Sequence, residues 1–109
     1  MEYQKYLVEF VGTAFFIFVI LISGNLVPPM FGQKSSFFQP FVIAAGLLVA
    51  ILVGGERSGG HFNPAVSLVM YVSKNLDQSD LLPYIGAQLF GGLVAYHIYK
   101  NDKLGIDSA

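Results

Sequence analysis

The sequence has no cysteine and few charged residues, and both absences restrict what the protein can be. Without Cys, its 109 residues can form neither a disulfide framework nor a metal site built on thiolates. Only 12% of the residues are charged and the formal net charge is −1, so the composition gives no sign of a nucleic-acid partner. These absences argue against nucleic-acid binding and against thiol-based chemistry.

Long apolar runs dominate the chain. Hydrophobic residues make up 54% of it, and the mean hydropathy is +0.60. Residues 7–24, 37–55 and 81–99 each approach the length of a bilayer span; the first contains one charged residue, Glu9, and the other two contain none. This pattern predicts an all-α, multi-pass integral membrane protein. The alternatives are the core of a soluble all-α protein and, for the first run, a cleaved signal peptide, although residues 1–5 carry no net positive charge.

A polar, glycine-rich stretch, Ser-Gly-Gly-His-Phe-Asn-Pro-Ala-Val at residues 58–66, lies between the second and third runs. Asn is favoured just before the first turn of a helix and Pro is tolerated in that turn, so Asn63, Pro64 and Ala65 predict a helix start. At about 1.5 Å per residue, the apolar helix that follows covers roughly 12–15 Å, about half of a hydrocarbon core. A re-entrant loop and half-helix are therefore predicted over residues 58–72, entering and leaving on the same side.

The whole chain, residues 1–109, is predicted to form a single domain. Three transmembrane helices are expected, over residues 6–23, 40–54 and 82–99. A loop is expected over residues 25–39, where Pro28 and Pro29 should stop the first helix. A polar tail is expected over residues 100–109.

Two polar residues stand out within the predicted membrane helices. Glu9 shares a helical face with Gly12 and Phe16; because an ionisable group in a membrane is costly unless it has partners, Glu9 should either point inward or contact water at the interface. The amide of Gln88 either joins two helices by a hydrogen bond or supports the backbone of residues 59–62.

The glycine-rich segment would expose a row of backbone carbonyls ahead of the half-helix. These oxygens accept hydrogen bonds, Asn63 offers an amide donor at the end of the row, and the helix dipole places positive potential there, which disfavours cations. This combination favours a pore for neutral, hydrogen-bonding solutes over an enzyme. His61 is the one candidate general base, and no nucleophile, second carboxylate or metal ligand accompanies it, so no catalysis, cofactor or metal is expected.

Three segments resemble the aquaporin (major intrinsic protein) family. Residues 58–66 resemble its first Asn-Pro-Ala loop, the Glu-Phe-Val-Gly-Thr of residues 9–13 resembles its first-helix signature, and Ala87-Gln88 resembles its third-helix signature. The resemblance covers nearly the whole chain. It implies one half of a channel, with three transmembrane helices and a re-entrant half-helix, for water or small neutral solutes such as glycerol.

The same resemblance implies roles for individual residues. Asn63 would cap the half-helix and donate a hydrogen bond to the solute. Pore carbonyls would come from Gly59, Gly60 and His61. The apolar wall would be formed by Phe16, Leu47 and Val66. The loop would be supported by Glu9 and Gln88.

Two departures from the family pattern affect the predicted pore. Ile43 occupies a pore-lining position where the family commonly has Phe or Trp, which favours a wider, less water-strict pore. The family has two inverted halves, each with an Asn-Pro-Ala motif, whereas this sequence has one such motif. In it Val66 follows Ala65, at the position where the second motif of the family has Arg. A single half cannot close a pore, because its half-helix would face lipid.

Three hypotheses are consistent with a single half. The chain could assemble with a second half-channel, it could be an inactive fragment of a longer channel, or it could be a non-transporting subunit packed on another membrane protein. The basic residues divide evenly between the two predicted membrane sides: Lys5, Arg57 and Lys74 against Lys34, Lys100 and Lys103. The usual orientation bias is then missing, and a second, inverted copy could complete the pore as an antiparallel homodimer.

Overall fold

The computed structural model describes residues 2–101, and the regular structure within that range is entirely helical. The helices are α1 (Gln4–Phe31), α2 (Ser35–Ser58), α3 (Pro64–Val72) and α4 (Gln78–Asn101), with a short 3-10 turn at Gly32–Lys34. Two apolar helical stretches, Gln4–Ser58 and Gln78–Asn101, are long enough to cross a membrane. Residues 102–109, which hold most of the predicted tail and Lys103, lie outside the described residues.

Helices α1 and α2 pack against each other in opposite directions, and glycines allow their close approach. A Cβ on Gly46 would lie 2.8 Å from Val19 Cγ1, and one on Gly54 would lie 2.6 Å from Val8 Cγ1. Because real Cβ atoms do not approach other atoms this closely, larger residues at either position would push the helices apart. Small residues serve the same purpose at membrane helix interfaces generally.

Helix α4 packs along the other side of α1 and runs in the same direction. Gly91 lies directly against the backbone of α1, where a Cβ would come within 2.5 Å of the Phe10 carbonyl oxygen. At the start of both helices, Lys5 Nζ donates to Asp80 Oδ2 at 2.8 Å and Tyr6 Oη donates to Asp80 Oδ1 at 2.6 Å. These contacts fix the register of the two helices.

The connection between α1 and α2 differs from the sequence prediction. The loop expected over residues 25–39 is wrong, because α1 continues through Pro28 and Pro29, and α2 begins at Ser35. Proline has a φ that suits a helix, but it removes a backbone donor and its ring crowds the preceding turn, so the last turn needs tertiary contacts to hold it. Those contacts are the buried side chain of Val27 and a 3.0 Å hydrogen bond from Asn25 Nδ2 to Tyr99 Oη.

The outer surface of the helices is apolar. Large hydrophobic side chains such as Leu52, Val53 and Leu82 are 73%, 75% and 76% exposed, whereas the buried residues include polar ones such as Glu9 and Gln88. A soluble domain buries such apolar side chains and exposes such polar ones. An apolar exterior around a polar interior suits a protein surrounded by lipid.

Candidate functional site

The loop between α2 and α3 has an unusual backbone. Helix α2 ends at Ser58 and is capped by Gly59, whose N–H donates to the Gly55 carbonyl at 2.7 Å. Three of the next residues have positive φ: 92° at Gly59, 67° at Gly60 and 54° at Phe62. Glycine adopts this conformation at little cost, which explains the Gly-Gly pair, whereas Phe62 needs its surroundings to hold it there.

The ring of Phe62 is held in a notch made by two glycines. A Cβ on Gly12 would collide with the Phe62 ring, and one on Gly54 would lie 3.7 Å from its Cζ atom. The side chain is 3% exposed. Close packing between α1 and α2 therefore fixes the strained residue that precedes Asn63.

The carboxylate of Glu9 holds the loop in place through hydrogen bonds. Its Oε2 accepts from Ser58 Oγ at 2.7 Å and from the His61 N–H at 3.0 Å. Its Oε1 accepts from the Phe62 N–H at 2.8 Å and from Gln88 Nε2 at 2.8 Å. Glu9 is 0% exposed, so it points inward and does not contact water at the interface. Four donors around one carboxyl match the acceptor-only chemistry of an ionised carboxylate.

The amide of Gln88 supports the loop through other side chains. Besides Glu9, its Nε2 donates to Ser67 Oγ at 2.9 Å, and Ser67 Oγ also lies 2.8 Å from His61 Nδ1. Ser67 Oγ therefore links the amide of Gln88 to the imidazole of His61. The His61 side chain is thus a buried structural group.

Ser58, Ser67 and Tyr84 are members of this network whose contacts the sequence analysis missed. The hydroxyl of Tyr84 donates to the Ser58 carbonyl oxygen at 2.7 Å, and Ser67 is 0% exposed. Their positions held a weak signal: Ser67 lies one turn after Asn63, and Tyr84 lies one turn before Gln88 on the same face of α4. Neither spacing identifies a partner so distant in the chain.

Asn63 caps α3 and remains exposed. Its Oδ1 accepts from the Ala65 N–H at 2.7 Å, and Pro64 is the first residue of the helix. Such a cap satisfies one of the free donors of a helix N-terminus. No acceptor within residues 2–101 takes a hydrogen bond from the Asn63 side-chain amide, which leaves its Nδ2 donor available.

The carbonyl oxygens just before this cap are also available. Within residues 2–101, no donor bonds to the carbonyls of Gly59, Gly60 or His61. The N–H groups of Gly60 and His61, by contrast, are bound by Ser58 Oγ and Glu9. These N–H groups are therefore satisfied within the protein, while the carbonyl oxygens of the same segment are left free to accept hydrogen bonds from an external partner.

The predicted apolar wall residues do not form one cluster. Phe16, Ile43 and Leu47 line a shared groove between α1 and α2, hereafter the Phe16 groove. Val66 lies on α3, is 40% exposed, and is not among the residues of that groove. The structure brings the loop residues together around Glu9 and three of the wall residues together elsewhere on the α1–α2 pair.

Residues 1–105 match the family model described as Major intrinsic protein. The chain belongs to the major intrinsic protein family. The matched region includes all the helices described above and the whole loop network. Membership establishes the chain as an integral membrane protein related to channels for water or small solutes.

Individual relatives agree with this placement. Mouse aquaporin-8 is 42% identical over 100 residues, which are 89% of this chain and 36% of that protein. Aquaporin Z of Brucella melitensis is 41% identical over 95 residues, 84% of this chain and 41% of the relative. The glycerol uptake facilitator protein-like 6 of Lactiplantibacillus plantarum is 37% identical over 98 residues, 90% of this chain and 43% of the relative. The chain thus spans about two fifths of the length of these curated relatives.

Proposed function

We propose that this chain forms one half of a channel that conducts water or small neutral solutes passively. The observation that carries the proposal is the row of free carbonyls at Gly59, Gly60 and His61, which leads to the free amide of Asn63. A file of hydrogen-bonding solutes needs acceptors along its path and a donor at its narrowest point. The buried Glu9 carboxylate supports this role, because it keeps the loop open without occupying the carbonyls.

Three membrane crossings and one re-entrant half-helix fit the lengths of the helices. At about 1.5 Å per residue, α1, α2 and α4 measure roughly 36–42 Å, which exceeds a hydrocarbon core of about 30 Å. Helix α3 has nine residues and measures about 13 Å. Its Ser67 lies beside Gln88, in the middle of α4, and its C-terminal end leads back to the start of α4. On this account Asn63 lies near the membrane midplane.

The chemistry of this point suits neutral solutes. The positive end of the α3 dipole lies at Asn63 and disfavours cations and protons. With Ile43 in place of an aromatic residue, we expect a wider pore that admits glycerol as well as water. We expect Phe16, Ile43, Leu47 and Val66 to form the apolar wall, and we expect no chemical transformation of the solute.

A second half must complete the pore, and a second copy of this chain can supply it. Inverted repeats of membrane channels and transporters meet near the midplane, so the second half has to lie upside down. The basic residues of the sequence do not favour one orientation, since Lys5, Arg57 and Lys74 are predicted on one side and Lys34, Lys100 and Lys103 on the other. We therefore propose an antiparallel homodimer as the smallest conducting unit.

Osmotic swelling of proteoliposomes that contain the purified chain tests the channel. A rise in water or glycerol permeability over empty vesicles is expected. Permeability equal to that of empty vesicles would refute conduction by this chain, and would leave the inactive fragment or the non-transporting subunit as the explanation. Vesicles containing the Asn63→Asp variant provide the matched control, because the variant keeps the capping oxygen and adds a negative charge.

Labelling of single cysteines tests the antiparallel arrangement separately. The chain has no Cys, so Ser36→Cys and Ser79→Cys each introduce a unique thiol on opposite predicted sides. With a membrane-impermeant reagent applied to intact cells, both variants should be labelled in part. Labelling of one variant alone would rule out dual orientation without affecting the channel proposal itself.

A further inference from the structure

A second groove lies between α1 and α2, hereafter the Arg57 groove, with a volume of about 460 Å³. It shares no residue with the Phe16 groove. Its walls are almost entirely apolar and end at one cation. The walls are formed by Leu7, Val11, Phe15, Val49 and Val53, and Arg57 completes the lining.

Small residues make this surface concave. The floor of the groove is formed by Gly12, Ala50 and Gly54. The Phe62 ring packs against the two glycines and fills the space between α1 and α2. The wall side chains remain accessible: Val53 is 75% exposed and Phe15 is 41% exposed. The groove therefore opens outward, away from the loop network.

The groove has the length of one membrane leaflet. From Arg57 to Val49 along α2 the axial distance is about 12 Å, at about 1.5 Å per residue. One leaflet contributes about 15 Å of a hydrocarbon core of about 30 Å. Because Arg57 is in the last turn of α2, its guanidinium lies at the membrane surface when the groove extends inward along the acyl chains.

Arg57 gives the groove a headgroup preference. Its side chain is exposed and makes no ion pair within residues 2–101, where the single salt bridge joins Lys5 to Asp80. The neighbouring Glu56 does not line the groove. Guanidinium binds phosphate oxygens in a bidentate fashion, and does so more specifically than an ammonium group.

We propose that the Arg57 groove binds an anionic phospholipid, with one acyl chain between α1 and α2 and the headgroup phosphate on Arg57. The apolar walls match the chain, and the unpaired guanidinium matches the phosphate. The inference rests on membrane placement alone and is independent of whether the chain conducts solutes.

Fluorescence quenching by brominated lipid tests the proposal, since the chain has no Trp and a single introduced Trp reports alone. Val53→Trp places the probe in the groove. Leu52→Trp is the matched control, because Leu52 is 73% exposed, is next in sequence and does not line the groove. Each variant is reconstituted in phosphatidylcholine vesicles that contain a minor fraction of phosphatidylglycerol brominated on its acyl chains.

The proposal predicts at least a twofold excess of quenching for Val53→Trp over Leu52→Trp, and loss of that excess when Arg57→Gln is added. Lys74→Gln, which removes the same charge on the same membrane side, should leave the excess intact. Equal quenching at the two positions would overturn the proposal, as would an equal excess with brominated phosphatidylcholine. Absence of quenching at Val53→Trp would also overturn it and would indicate that another protein surface covers the groove.

Discussion

Removal of the Glu9 carboxylate should destabilise the protein more than any other single truncation of a charged side chain. In Glu9→Ala, two backbone donors, the N–H groups of His61 and Phe62, lose their acceptors at 3.0 and 2.8 Å inside a buried site. The Ser58 hydroxyl can rotate and Gln88 retains Ser67, so these two donors lose less. At about 1–3 kcal/mol for each buried unsatisfied group, the two N–H groups alone cost roughly 2–6 kcal/mol.

The assay is thermal unfolding of the purified chain in mild detergent, and unfolding is monitored as the loss of monodisperse protein. A loss of about 1 kcal/mol in the free energy of unfolding lowers Tm by roughly 4–8 °C in a domain of this size. The Tm of the Glu9→Ala variant should therefore be lower by about 10 °C or more. Glu56→Ala is the matched control, since Glu56 is exposed and accepts no side-chain hydrogen bond within residues 2–101. If the two variants unfold at the same temperature, Glu9 does not stabilise the loop as assigned.

Four further outcomes are expected. Asn63→Asp should lose solute flux or admit cations, because a negative charge opposes the positive helix end; unchanged flux with full cation exclusion would remove Asn63 from the pore. Thr13→Val should be neutral or stabilising by up to about 1 kcal/mol, because the buried Thr13 hydroxyl has no partner within residues 2–101; a clear loss of Tm would contradict this. Gly91→Ala should lower the free energy of unfolding by about 1–3 kcal/mol, because the added Cβ forces α4 away from α1. Gly86→Ala should have no such effect, since Gly86 has open space around it, and equal Tm values for the two variants would refute the close contact. Flux through the native chain should survive mercurials, which act on thiols, and a block reversed by a thiol reagent would count against the sequence argument.

The sequence was sufficient where local chemistry decides the structure. An Asn-Pro pair after two glycines indicates a helix start in almost any surroundings, and α3 begins at Pro64. A carboxylate in an apolar run has few tolerable environments, and Glu9 is in one of them.

The sequence was insufficient where partners are distant in the chain. Pro28 and Pro29 predicted a break, and contacts with α4, such as the bond from Asn25 to Tyr99, kept the helix intact. The bond from Ser58 to Glu9 joins residues 49 positions apart, which no periodicity can reveal. Gln88 reaches the loop through Glu9 and Ser67, so its predicted support of the backbone is indirect.

The most direct test of the proposed pore places a thiol on its wall. Val66 is exposed on α3 one turn beyond Asn63, and Val66→Cys changes its size little. Leu52→Cys, on the outer surface of α2, is the control. In proteoliposomes, a mercurial should block water flux through Val66→Cys, a thiol reagent should restore it, and the native chain and Leu52→Cys should be unaffected. If flux through Val66→Cys is as insensitive to the mercurial as flux through Leu52→Cys, α3 does not line the conducting path.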